Sequence, residues 1–217
     1  MNRATRIVAS TFGVLVGLAG IDHGIFEILQ GNVRPDGLMI AAIGPSQRFW
    51  RYGEETALTI IPNLLLTGIL AVIFGVLVII WSIKYIDHKF GAGILFLLGV
   101  ILFLVGGGFA PIFMTIIASL TATRINSPLI FWRAILSGFL GQYFGKIWLW
   151  VLVSFGAIFV ISVVIAIFGW PMILLFDAET TMRYLNTLAN IMLSFMILSP
   201  LAGFAHDIQS NEEETYT

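Results

Sequence analysis

The sequence predicts an all-α, polytopic membrane helix bundle with five transmembrane helices and one interfacial helix. Three observations carry that reading. Of the 217 residues, 59% are apolar and 11% are charged, whereas a soluble globular chain has roughly 45–50% and about 25%. Mean hydropathy is +0.98. The charges that do occur leave long gaps. No Asp, Glu, Lys or Arg lies between Glu55 and Lys84 (28 residues), Lys89 and Arg124 (34), Lys146 and Asp177 (30), or Arg183 and Asp207 (23). A helix needs about 20 apolar residues to cross a hydrocarbon core of about 30 Å. Each gap therefore reads as one crossing, too short for two with a turn.

The same composition removes several function classes. High hydrophobicity excludes disorder for the bulk of the chain. The absence of Cys excludes disulfides, thiolate metal sites and Cys nucleophiles. A formal net charge of −1 gives no electrostatic ground for a nucleic-acid partner.

The first span is expected at about residues 7–29. Arg3 and Arg6 before an apolar run also resemble a signal peptide, with Ala19 at a plausible cleavage site. The pattern stays apolar through Ile21, Ile25, Phe26, Ile28 and Leu29, which favours a retained helix. Turn signals at Gly31-Asn32, Pro35-Asp36-Gly37 and Gly44-Pro45 mark the 30–55 loop as a small cap. Further spans follow at about 57–82, 92–120, 147–174 and 184–205. Between the third and fourth, residues 128–146 are apolar, aromatic and basic, and read as a helix lying at the interface. Residues 206–217 read as a polar, mobile tail. An odd number of spans puts the termini on opposite faces. The N-terminal face then carries five Lys and Arg and the far face six, so charge alone sets no orientation. Arg3 and Arg6 beside the terminal amine lean the N-terminus to the cytoplasm of a cell-membrane protein.

Gly13, Gly17, Gly20 and Gly24 recur at steps of four, three and four and share one face of the first helix. Such a stripe admits another backbone, either within the chain or from a membrane-protein partner. Glu27 continues the stripe, and His23 lies four residues before it. With the span centred near Leu18, His23 sits about 7 Å and Glu27 about 13 Å from the midplane. Ionisable groups at such depth are costly and point to function; the alternative is that both sit near the headgroups. Thr56, Thr59, Asn63 and Thr67 form a second polar stripe, and Arg183, Thr187, Asn190 and Ser194 a third. Inter-helical glue is the leading reading for the threonines and serine. Gly106-Gly107-Gly108 with Pro111 predicts a kink or a break in the third span, a feature that lines ion or substrate sites in some transporters.

With five spans, Asp22, His23, Glu27, Glu54, Glu55, Asn63, His206 and Asp207 all fall in the far half of the membrane. That convergence predicts a polar pocket for a small amphiphile or ion. A divalent metal held by His23, Glu27, Glu54 and His206 lacks any HxxEH spacing, and a bis-His haem on His23 and His206 has only the shared face in its favour. No metal and no named cofactor is assigned.

The stretches Gly20-Ile-Asp-His-Gly-Ile-Phe-Glu-Ile-Leu-Gln-Gly-Asn32, Glu55-Thr-Ala-Leu-Thr-Ile-Ile-Pro-Asn63 and Gly106-Gly-Gly-Phe-Ala-Pro111 resemble an uncharacterised family of prokaryotic multi-pass integral membrane proteins. The resemblance runs from the first helix to about Leu129. It implies a membrane location and a recurring His-x-x-x-Glu first helix, and it implies no activity.

The expectation is thus a carrier, sensor or accessory subunit with Asp22, His23, Glu27, Glu54, Glu55, Asn63 and His206 around a polar pocket. A second expectation is a membrane-embedded enzyme with Glu27 or Glu55 as general acid/base and His23 as its partner, acting on a lipid or quinone-like substrate. A third is a structural subunit that docks a membrane protein on the Gly13/Gly17/Gly20/Gly24 face.

Overall fold

The computed structural model describes residues 1–216, with residues 213–216 described by their backbone alone. The chain folds as α1 (Arg3–Leu29), β1 (Met39–Ala41), β2 (Thr56–Leu58), α2 (Leu64–Lys84), α3 (Gly91–Leu104), α4 (Phe109–Ala122), α5 (Ile130–Leu136), α6 (Phe139–Phe168), α7 (Met172–Leu175) and α8 (Ala178–Tyr216). A single 3-10 turn spans Pro45–Gln47. Helix dominates because the apolar segments are rich in Leu, Ile, Val and Phe and must satisfy their own backbone groups away from water. Four helices, α1, α2, α6 and α8, are long and apolar enough to cross a membrane.

The expected third span is not one crossing. Residues 105–108 divide it into α3 and α4, of 14 residues each, or about 21 Å per helix. The two fold back on each other. A Cβ placed on Gly99 of α3 would lie 2.9 Å from Thr115 Cβ of α4. Beyond their outer ends, Asn126 Nδ2 donates to the Asp87 carbonyl at 2.7 Å. Gly106 and Gly108 make the reversal, with φ of +100° and +82°, a region open to glycine and costly for other residues. Both open ends of this hairpin lie on the side of the molecule that holds the start of α1.

The hairpin moves everything downstream to the other side of the expected topology. Asn2 donates its backbone N–H to Ile125 O at 2.8 Å and its side-chain amide to Arg124 O at 2.6 Å. Of the segment expected to lie at the interface, only Ile130–Leu136 forms a separate short helix, α5, while residues from Phe139 onward belong to α6; α5 lies on the side of the α1 N-terminus. Its Arg133 pairs with Glu212 at 3.5 Å. Residues 206–212 are not a tail but continue α8, which runs to Tyr216. Asp207 and Ile208 are buried there. The side chains of the remaining residues of the expected tail lie outside the described part.

α1 is the central element and packs along α2. The glycine stripe is filled from within the chain. A Cβ on Gly17 would lie 2.5 Å from Gly75 O, one on Gly24 2.6 Å from Gly68 O, and one on Gly20 2.7 Å from Leu102 Cδ1. Phe12 stacks on Phe155 of α6 with ring centroids 4.4 Å apart. The main core gathers Val8, Phe12, Val16, Leu95, Leu102, Met114 and Phe155.

At the far face, β1 and β2 pair antiparallel, with Ile40 opposite Ala57. Gln30 at the end of α1 holds this cap by donating to the carbonyls of Ala41 (3.1 Å) and Ala42 (2.7 Å). Trp50 Nε1 donates to Ala166 O of α6 at 2.9 Å. The 30–55 segment is therefore the cap that its turn residues predict.

Candidate functional site

The tip of the α3–α4 hairpin is stitched to the cap. Ile60 N–H donates to Leu104 O at 3.0 Å, and Gly106 N–H donates to Leu58 O at 2.9 Å. This fixes the tip against α1, where His23 and Glu27 project from one side. A Cβ on Gly108 would lie 2.5 Å from His23 Cε1, and a Cβ on Gly106 2.5 Å from Glu27 Oε2. Glycine is required at both positions twice over, by the positive φ and by the side chains lying against the backbone.

His23 is only 5% exposed. Its Nε2 pairs with the Glu55 carboxylate, while Nδ1 has no hydrogen-bond partner among the described residues. Glu55 lies in the segment between α1 and α2, just before β2. Burial pushes its carboxyl up, but the hydrogen bond and charge of His23 outweigh burial and hold it below its usual value. Asp22, half-buried on α1, is close enough to feel both partners.

His23 and Glu55 form the polar end of a cavity of about 350 Å³. Ala19 and Thr56 flank them. The remaining wall is mostly apolar: Phe109 and Pro111 open α4, Phe159 and Val163 come from α6, and Met192 from α8. Ser162 is a polar exception, with a buried hydroxyl that has no partner among the described residues. The first-turn N–H groups of a helix have no acceptor inside that helix, and Phe109 and Ala110 bring the first turn of α4 to this cavity.

Glu27 is fully buried, and neither carboxylate oxygen has a hydrogen-bond partner among the described residues. It does not line the cavity but lies against Gly106, with Thr67 of α2 also packed there. Thr59 and Thr67 share a hydroxyl–hydroxyl bond of 2.7 Å.

The other expected site residues are elsewhere. Glu54 pairs with Arg48 at the surface of the cap. Asn63 caps α2, accepting from Leu66 N–H at 3.0 Å, and its amide bonds Asn32. His206 lies at the N-terminal face, where Nδ1 meets Gly145 O at 3.1 Å and the ring packs on Trp148. Five crossings would put it beside His23; the returning α3–α4 hairpin puts it on the opposite side. Metal or haem ligation that joins His206 to His23 is therefore ruled out by position. Among the described residues, no three His, Asp or Glu side chains gather as a metal ligand set. Thr187 and Ser194 bond the carbonyls of Arg183 and Asn190 on their own helix rather than a neighbouring one. The cavity walls on α6 and α8 carry no polar pattern by which the sequence could have marked them. The glycines and Pro111 of the hairpin are the signal that did exist.

Comparison of the chain with protein-family models, with curated proteins and with solved structures found no match.

Proposed function

We propose that the chain is a multi-pass cell-membrane protein that binds a small amphiphile. The polar head would meet His23, Glu55 and the first turn of α4, and the apolar body would lie along α4, α6 and α8. One observation carries the reading: a cavity of about 350 Å³ with an imidazole–carboxylate pair at one end and an almost entirely apolar wall. Small-molecule sites have this form, with volumes of roughly 300–1,000 Å³ and a few convergent polar groups. A carrier or sensor suits it better than an enzyme, because among the described residues Glu55 is the one carboxylate that lines the cavity beside His23. A docking role for the glycine stripe finds no support, since α2 and α3 cover that stripe.

The N-terminal face is assigned to the cytoplasm. With the hairpin returning, that face holds Arg3, Arg6, Lys84, Lys89, Arg124, Arg133 and Lys146, against Arg34, Arg48, Arg51 and Arg183 at the far face. This excess follows the positive-inside rule.

Native mass spectrometry from mild detergent tests the binding reading. The wild-type protein should retain an amphiphile that Val163→Trp, which fills the cavity, releases. A wild-type protein carrying no specific adduct, or a Val163→Trp protein that keeps it, would remove the reading.

A further inference from the structure

A second cavity, of about 270 Å³, lies on the side of the molecule that holds the start of α1, between α4, α5 and α8. Its walls are mostly apolar, with Ile117 and Leu120 from α4 and Ile197, Leu201 and Phe204 from α8. Leu120 and Ile197 are exposed, so the groove continues onto the outer faces of both helices.

Two hydrogen-bond donors line this groove without an acceptor. Arg124 follows the end of α4, and its guanidinium has no hydrogen bond or ion pair among the described residues. Trp132 of α5 packs its ring on Phe204 with centroids 5.0 Å apart, and its indole N–H has no acceptor among the described residues. The guanidinium is not needed to close the helix end. The last four carbonyls of α4, from Ser119 to Ala122, already accept from Thr123 N–H, the Thr123 hydroxyl, Arg124 N–H and Ile125 N–H. The described carboxylates of this side are engaged elsewhere: Asp87 with Arg6, Glu212 with Arg133, and Asp207 with the start of α1.

A free arginine and a free indole N–H at the mouth of an apolar groove suit an anion that carries its own apolar chain. Arg and Trp at one level are also the signature of a membrane–water interface. Thr121 and Thr123 donate their hydroxyl protons to Ile117 O and Leu120 O. The groove therefore offers two donors to a phosphate, and no carboxylate lines it to receive the cationic end of a zwitterionic head.

We propose that this groove binds one anionic phospholipid, with the phosphodiester on Arg124 and the Trp132 indole and an acyl chain along α4 and α8. Basic pockets between membrane helices take anionic head groups in this way. The site rests on the membrane reading but not on the His23 cavity, which lies at the opposite end of α4.

The experiment is native mass spectrometry of the full-length chain in mild detergent, titrated with palmitoyl-oleoyl phosphatidylglycerol or phosphatidylcholine. The wild-type chain should hold one phosphatidylglycerol about tenfold more tightly than phosphatidylcholine. Arg124→Gln should erase that preference, and Trp132→Phe, which keeps the ring and removes the N–H, should weaken it several-fold. Arg133→Gln, which removes a neighbouring cation already paired with Glu212, should leave it unchanged, as should Val163→Trp in the other cavity. Leu201→Trp, which fills the groove, should release the lipid, and inorganic phosphate should not displace it. Equal retention of the two lipids by the wild-type chain, or a preference unchanged in Arg124→Gln or Trp132→Phe, would overturn the proposal. An equal loss in Arg133→Gln would show diffuse surface charge instead. Displacement by inorganic phosphate, or full retention in Leu201→Trp, would show a bare anion site and overturn it too.

Discussion

Asp207 accepts hydrogen bonds from both the backbone N–H and the hydroxyl of Thr5, at 2.8 and 2.6 Å, across 202 positions of sequence. Its other oxygen takes the N–H of Ala4 at 3.0 Å. The end of α8 thus caps the start of α1, whose own N-cap residue, Asn2, makes no side-chain cap bond. A buried carboxylate that satisfies the free N–H groups of a helix N-terminus also meets the positive end of the helix dipole.

Removing this cap should be costly. Asp207→Ala is expected to destabilise the protein by about 2 kcal/mol, the upper end for lost helix caps. Asp207→Asn should retain part of that stability. Unfolding midpoints in detergent measure both, and a midpoint unchanged in Asp207→Ala would contradict the capping role.

The cap also fixes topology. The chain has no Cys, so single introduced cysteines report sidedness cleanly. Ser127→Cys and Ser210→Cys should label from one side of the membrane, and Asp36→Cys from the other. A continuous third span would instead place position 127 with position 36. Labelling of intact cells or right-side-out vesicles by an impermeant maleimide separates the two outcomes.

Gly17 and Gly75 approach backbone to backbone. A Cβ on Gly75 would lie 2.7 Å from Gly17 O. Gly17→Leu should therefore separate α1 from α2, at a cost of at least about 1–3 kcal/mol for overpacking. The expected result is loss of a monodisperse protein on size exclusion. A well-folded Gly17→Leu protein would show that the contact tolerates expansion.

The His23–Glu55 pair makes stability depend on pH. Glu55 has its carboxyl lowered from the ordinary 4.5. A carboxyl depressed in the folded state contributes stability above its unfolded value, and that contribution is lost as pH falls through the folded value. Glu55→Gln should cost about 1–3 kcal/mol near neutrality, and the difference from wild type should shrink below about pH 4.5. Unfolding midpoints across an acid series check this. A difference constant down to the lowest pH would exclude ionised Glu55 as its source.

The polar residues of the first helix were legible in sequence. His23 and Glu27 stand out because ionisable groups are rare at that depth, and periodicity puts them on one side. Glu55 was legible only as a nearby carboxylate, and Glu54 looked equivalent. What separates them is side-chain direction around β2, which sends Glu55 to His23 and Glu54 to Arg48. Asn63 read as a ligand because Asn is costly within a span. α2 begins one residue later, so Asn63 is its cap.

By itself the sequence determined that the chain is helical, that it holds apolar stretches long enough to cross a membrane, and that the glycine stripe receives another backbone; it predicted five crossings, where the structure has four helices of sufficient length. These follow from hydrophobic length and period, which are local properties. Only the tertiary structure decided that the 34-residue uncharged stretch turns back at Gly106 and Gly108. Hydropathy measures how much apolar chain there is, not which way it runs. Two helices of about 21 Å and one of about 42 Å have the same composition, and the choice between them rests on two positive-φ glycines held against Glu27 and His23. That choice moved His206 and Asp207 to the opposite face from His23.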